Sequence, residues 1–461
     1  MSRTRNEALA GRIAEAGWTQ PKAAAAVRRV AEEVGARELA TVSRSHIAMW
    51  IGGTRPSGQA PHILCETLMR KLRRPITLTD IGLPAAQDRA SDGMGWNADT
   101  LTALTELGRD DLDMLHRRQL LAETAYSVAG LAVPAASWWK DAPTTAAQRR
   151  VHSPATVTPA DVDDIRQTTV FFSARDQRRG GAAGRSALAA HLSLEAAPLL
   201  SSRIPNEHLR RDLYSATAEM TYLAGWMAFD AGKHRQAQRY FTLAAKLAAE
   251  AADGPLAGHI LRAMAHQAVD LNHPGRALQL ADASMATDRY GQASWREKAL
   301  LGIVHARALA ATGDRRGTLA AISRAERDLG RDTGNAPDRV SFFAQASLSH
   351  ETACALRDLG NLRDSEAHFK LSVATRRRQL YARTHSVTLG YLGSVQIRRG
   401  GLDEGCGTYN QALDAMEGIS SGRSRDVIVQ IQRDLSPVRR RGGRQVADLD
   451  QRAREMLRTI G

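Results

Sequence analysis

The sequence predicts an all-α protein in two parts, a small basic helical head followed by a long body of repeated helix pairs. Three observations lead there. Aromatic residues make up only 5% of the chain, while alanine and arginine fill its long segments, a composition that favours helix over sheet. Helix start and stop signals recur through the first eighty residues. Beyond residue 200, a set of small residues returns five times at an interval near 40.

The head spans residues 1–83. Thr19 is an expected N-cap with Pro21 in the first turn, where its missing N–H costs nothing. The helix so started carries Ala23, Ala26, Val27, Val30 and Val34 on one stripe and stops at Gly35. A second helix begins at Thr41 or Ser43 and ends at Gly52-Gly53, before Arg55-Pro56-Ser57. A third runs from Pro61 to Arg73, with Ile63, Leu64, Leu68 and Leu72 at helical spacing.

Residues 84–159 read as a hinge or docking linker with one helix at about 111–131. Pro134, Pro143, Pro154 and Pro159 interrupt any long helix there. Trp138-Trp139 is expected to anchor the linker by packing on the body. The sequence Arg117-Arg118-Gln119-Leu120-Leu121 imitates an export signal but lies far from the N-terminus, so an amphipathic helix is expected.

Residues 160–422 form the repeats. Gly225, Gly232, Ala237, Phe241 and Ala244 are separated by seven, five, four and three residues. The same steps return in Ala265, Asn272, Ala277, Ala281, Ser284, then Ala306, Gly313, Thr318, Ile322, Ala325. They continue in Ala353, Gly360, Ser365, Phe369, Ser372 and end in Gly393, Gly400, Gly405, Tyr409, Ala412. The second member is always Gly or Asn, the types that accept a left-handed turn between antiparallel helices. The small members let the helices cross closely, and the bulkier fourth is expected to fill the space between neighbouring hairpins. The pattern resembles the tetratricopeptide repeat and implies an α-solenoid. Its period exceeds the usual length for that repeat, so longer helices or loops are expected. Residues 423–461 form a basic end with a helix from about Gln445 to Ile460 that caps the last repeat.

The formal charge of +14 is unevenly placed. Residues 1–83 carry thirteen Lys/Arg against seven Asp/Glu, and residues 423–461 ten against five, so the middle is nearly balanced. Basic ends attract polyanions. The tail, with Arg439-Arg440-Arg441 and Arg444, either touches DNA or keeps the end solvated. The three cysteines lie far apart without metal or disulfide spacing, and no long apolar run occurs, so a cytoplasmic protein off the membrane is expected. Catalysis is not expected: phosphate loop, zinc-type His-Glu spacing and nucleophile elbow are missing. The close carboxylates Asp161, Asp163 and Asp164 sit where a helix begins. No cofactor or metal is implied.

The stretch Thr41 to Pro56 is similar to the recognition helix and following turn of phage-repressor-type helix-turn-helix proteins. Ile47 and Trp50 match the buried inner face. The resemblance implies that Ser43, Arg44, Ser45 and Met49 face the major groove, with Arg44 on a guanine edge and Met49 on a thymine methyl. Thr54 and Arg55 would lie near phosphates, and His46 is an ordinary surface or packing histidine. From Gln20 to Ile47 is 27 residues, about twice the usual interval, so an extended helix or inserted loop is expected.

Gly17-Trp18-Thr19-Gln20, Thr54-Arg55-Pro56, the Leu115–Leu121 segment and the repeats together resemble a family of helix-turn-helix and tetratricopeptide transcriptional regulators of high-GC Gram-positive bacteria. The architecture is also similar to that of peptide-sensing regulators of other Gram-positive bacteria. That likeness implies a groove lined by Tyr222, Trp226 and Asp230, then Arg262, His266 and Asp270, then Arg307, Arg357, Asp358 and Arg398. Beside Trp226 and Phe229, this row would hold a peptide carboxylate with an apolar neighbour. The expected partners are double-stranded DNA, a peptide, small ligand or protein in the groove, and a second copy of the chain, since symmetric operators call for dimers. The competing reading is a protein-binding scaffold whose head is a contact module.

Overall fold

The computed structural model describes residues 4–33, 36–72, 76, 78–83, 95–113, 131–149, 153–438 and 443–459. It is all-helical: the described residues contain no strand, only an isolated bridge between Thr156 and Arg203.

Four helices make the head: α1 (Glu7–Glu15), α2 (Gln20–Glu33), α3 (Arg44–Ile51) and α4 (Ala60–Leu72). Asn6 caps α1 by accepting from the Leu9 amide at 2.9 Å, and Pro21 occupies the first turn of α2. Leu9, Ile13, Val27, Val30, Ile47, Trp50, Ile63 and Leu68 fill a core of their own. The long interval from Gln20 to Ile47 is taken up by the fourteen residues of α2 and a 3-10 turn at Arg37–Leu39. Val34 and Gly35 lie outside the described residues.

The segment expected as a linker carries α5 (Thr100–Asp113) and α6 (Ala136–Ala147). Residues 114–130, most of the helix expected at 111–131 and the whole Leu115–Leu121 motif, lie outside the described residues, whereas the helix start at Thr100 had not been foreseen. Ala103, Leu104 and Leu107 of α5 enter the core of the body. The Arg149 guanidinium grips the Glu250 carboxylate with two bonds of 2.6 Å, which Thr100 also reaches at 2.5 Å. Pro143 was expected to break helix here and instead lies inside α6. Tertiary packing outweighs the lost backbone bond: Trp138 packs edge-on against both Trp139 and Trp96, Trp139 packs at a tilt on Trp96, and the Arg289 guanidinium lies 4.2 Å from the Trp139 ring centre.

The body starts with α7 (Pro159–Arg179), followed by α8 (Arg185–His191), which passes through a π turn into α9 (Ala197–Leu199). Adjacent helices then pair antiparallel: α10 (Glu207–Asp230) with α11 (His234–Glu250), and α12 (Gly254–Asp270) with α13 (Pro274–Ser284). After the short α14 (Thr287–Tyr290) come α15 (Trp295–Thr312) with α16 (Arg315–Gly330), α17 (Gln345–Asp358) with α18 (Leu362–Thr375), and α19 (Ala382–Arg398) with α20 (Leu402–Met416). The last pair is α21 (Gly422–Leu435) with α22 (Gly443–Thr459).

The repeated residues fall where the intervals place them. All five turn members, Gly232, Asn272, Gly313, Gly360 and Gly400, have φ between 63° and 93°. The third, fourth and fifth members are buried in every pair. The bulky fourth member reaches the next pair, as expected, where Phe369 meets Tyr391 of α19 and the Tyr409 hydroxyl donates to Asp434 of α21 at 2.5 Å, and it also packs inside its own pair. Phe241 lies against Gly225, where an added Cβ would come within 2.8 Å of the ring, and Tyr409 lies against Gly393 within 2.7 Å. In these two pairs the first member is glycine because the fourth leans on it. The 47-residue interval is explained by the loop between α16 and α17, which folds inward. Val340 and Phe343 enter the core, and Arg339 ties Glu219 of α10 to Glu297 of α15, each at 2.8 Å.

The solenoid closes on itself. Helix α7 packs on both α10 and α19. An added Cβ at Gly181 would meet the Met227 carbonyl at 2.4 Å, and one at Gly422 would meet α10's last carbonyl at 2.9 Å. The first and last pairs are thus pinned together. Val446, Leu449 and Ala453 of α22 cover the final pair with their apolar stripe. Arg439, Arg440 and Arg441 lie outside the described residues; Arg444 is exposed.

Candidate functional site

Two sets of candidate residues occupy opposite environments. The first is on α3. Ser43 is its N-cap, and its backbone N–H donates to His46 Nδ1 at 3.2 Å, so His46 has a capping role that was not foreseen. Ile47 and Trp50 are buried as expected, which turns the other face of α3 outward. Arg44 and Ser45 are exposed, Met49 is 46% exposed, Ser43 and Thr54 are half-buried and Arg55 is exposed. Arg44 and Arg55 make no ion pair among the described residues. This face can offer guanidinium and hydroxyl donors to an acceptor-rich surface.

The head is fastened to the body at its other side. Glu66 of α4 is 1% exposed and lies 3.0 Å from His273, in the turn between α12 and α13, and 2.8 Å from Arg70. Burial works to raise the Glu66 carboxyl, but His273 and Arg70 outweigh it and hold the carboxyl below its ordinary value. A second link joins Glu32 of α2 to Arg425 of α21 at 3.1 Å.

The second set lines the inner wall of the solenoid. The expected register is present: Arg262 donates to the Tyr222 hydroxyl at 2.7 Å from the next pair, and its guanidinium lies 5.6 Å from the Trp226 ring centre. His266 packs edge-on against Trp226 and Phe229. Several of the charges, however, are matched internally, while Arg262 hydrogen-bonds only Tyr222 and His259 among the described residues. Arg307 bonds Asp270 at 3.0 Å and Glu351 at 3.1 Å. Burial opposes ionisation of Glu351, yet Arg307, His266 and His350 bring its carboxyl down to about 2. Asp230 is fully buried and receives Arg383 at 2.9 Å, while the same guanidinium bonds Asp176 at 3.0 Å. Burial, moderated by Arg383 and reinforced by Asp230, raises Asp176 to about 6. Arg357 bonds its neighbour Asp358 and covers the Tyr391 ring at 5.0 Å. Arg398, expected in the groove, is exposed at the outer end of α19 and does not join the others.

Sequence reasoning therefore found the wall but not what fills it. Asp176, Glu351, Arg383 and Arg423 complete the network, and Phe342 of the inserted loop lies within 5.9 Å of the Arg262 guanidinium. The 47-residue interval was the available signal of that filling.

The family described as SP15 N-terminal domain matches residues 9–84, which is the head, less than a fifth of the chain. No curated protein and no solved structure matches. The described residues include no group of His, Cys, Asp and Glu able to hold a metal ion and no helix long and apolar enough to cross a membrane. Cys65, Cys354 and Cys406 are buried free thiols.

Proposed function

We propose that the chain is a sequence-specific DNA-binding regulator, in which α3 of the head reads a duplex and the tetratricopeptide-like body responds to a ligand or partner. The observation that carries this reading is the outer face of α3. Arg44, Ser45 and Met49 stand on it with Arg55 beside the following turn, all exposed and without a carboxylate partner, while Ile47 and Trp50 hold the helix rigidly from behind. Donors preorganised on a rigid element are what base-edge and phosphate contacts require. Ser43 and Thr54 flank that face. A helix docked by Arg44 would place a guanidinium on a guanine edge and Arg55 on the backbone.

The links at Glu66–His273 and Glu32–Arg425 give the body a means to set the orientation of the head, since anything that shifts α12, α13 or α21 moves these contacts. Two heads on a symmetric operator call for a homodimer, which sedimentation at micromolar concentration tests directly.

Selection of genomic duplex fragments by the full chain at about 150 mM salt, where surface attraction is screened, tests the reading. Enrichment of a few sites, lost in the Arg44→Ala, Arg55→Ala variant, is the expected result. Uniform or absent binding would return the head to the role of a protein-contact module on a scaffold.

A further inference from the structure

From Ala367 to Leu402 the chain contains no aspartate or glutamate across 36 residues, yet it holds Lys370, Arg376, Arg377, Arg378, Arg383, Arg398 and Arg399. Part of this charge is neutralised by distant acids: Lys370 and Arg399 bond Glu366, Lys370 also reaches Glu404, and Arg383 bonds Asp176 and Asp230. Arg376, Arg377 and Arg378 have no such partner among the described residues. They line a cleft of about 730 Å³ at the corner between α18 and α19, together with His385, Leu380 and Leu389.

Arg376 is the built part of this cleft. It is 8% exposed, with one guanidinium nitrogen held by the Ala346 carbonyl at 2.9 Å and the Ser372 hydroxyl at 3.1 Å. Its Nε and Nδ1 of His385 are both sealed from solvent and have no hydrogen-bond partner. Burial, partly offset by Glu351 and reinforced by the charge of Arg383, lowers Arg376 to about 10. A buried guanidinium without a carboxylate in contact is costly, and an oxyanion relieves that cost. Arg377 and Arg378 stand exposed at the mouth, where forked donors meet phosphate oxygens in pairs. Leu380, 48% exposed, and the buried Leu389 supply an apolar side to the same cleft. Its volume is that of small-molecule sites, roughly 300–1,000 Å³.

We infer that this cleft binds a small phosphate monoester with an apolar body. The site stands whether or not the head binds DNA.

Calorimetric titration of the full chain with p-nitrophenyl phosphate, inorganic phosphate and p-nitrobenzyl alcohol at about 150 mM salt tests the assignment. Saturable binding of the ester is expected, weaker binding of inorganic phosphate, and none of the alcohol. Because Arg377 and Arg378 are exposed, the Arg377→Gln, Arg378→Gln variant retains its thermal midpoint and loses about tenfold or more in ester affinity. Ester binding that does not saturate, or that the variant leaves unchanged, overturns the assignment. Equal affinity for inorganic phosphate overturns it in favour of the free ion. A variant that binds duplex DNA less tightly while the wild type ignores the ester assigns these arginines to DNA phosphates instead.

Discussion

Arg55 in the head and Arg307 in the body carry the same charge in opposite settings. Arg55 is exposed beside a turn and makes no ion pair among the described residues; Arg307 is 3% exposed, with Asp270 on one side and Glu351 on the other. Around α3 the head leaves Arg44 and Arg55 unpaired over an apolar core, whereas the body turns Arg307 and Arg383 inward and matches them with buried acids. A charge paired in a dry interior fixes one arrangement of helices, and a charge left in water is available to a partner. In the proposed function this difference assigns recognition to the head and rigidity to the closed solenoid, where the Arg376–Arg378 cleft is one place without matching acids.

The sharpest way to break this contrast is to remove a cation that closes the solenoid. Arg383→Ala leaves Asp176 and Asp230 buried without their shared partner, and a loss of about 3–5 kcal/mol in urea unfolding is expected. The same truncation at Arg55 changes stability by no more than about 0.5 kcal/mol. Equal effects would erase the distinction. Gly393→Val tests the packing half of the account. Its side chain meets the Tyr409 ring, so a loss of about 1–3 kcal/mol is expected, while valine at the open Gly407 position lacks such a clash.

These two variants also mark how far the sequence could be read. Gly393 was visible because a close crossing and a left-handed turn constrain residue type locally, and five repetitions fixed the register. Arg383 was not visible: its partners lie 153 and 207 residues away, and a long-range pair leaves no periodic trace. The inward loop at 331–344 appeared only as a longer interval, and Pro143 was misread because local propensity gave way to the packing of three tryptophans. On the head, Ile47 and Trp50 gave the orientation of α3 correctly, since inner and outer faces of one helix follow from spacing alone. In the body, the register of Tyr222, Arg262, His266 and Arg307 was equally readable, but the acids that neutralise the arginines come partly from other elements.

Glu66 offers a milder test at the junction of the two regions. Its carboxyl is held below its ordinary value in the docked head, so its contribution is present above the usual carboxylate range and is lost as the pH falls through the lowered value. Acidification is therefore expected to free the head, read as faster limited proteolysis between head and body. Glu66→Gln should weaken docking at neutral pH by about 1–3 kcal/mol and remove that acid sensitivity. A docking equilibrium indifferent to both changes would mean that the His273 contact does not hold the head.

The most direct test pairs two readings on one variant, Arg44→Ala with Arg55→Ala: affinity for a selected duplex at about 150 mM salt, and the thermal midpoint. The account predicts an affinity loss of at least about tenfold, from the roughly 1–3 kcal/mol carried by one good base contact, with the midpoint unchanged. Undiminished duplex affinity would contradict the placement of recognition on this face, and a lowered midpoint would contradict the claim that these arginines are free.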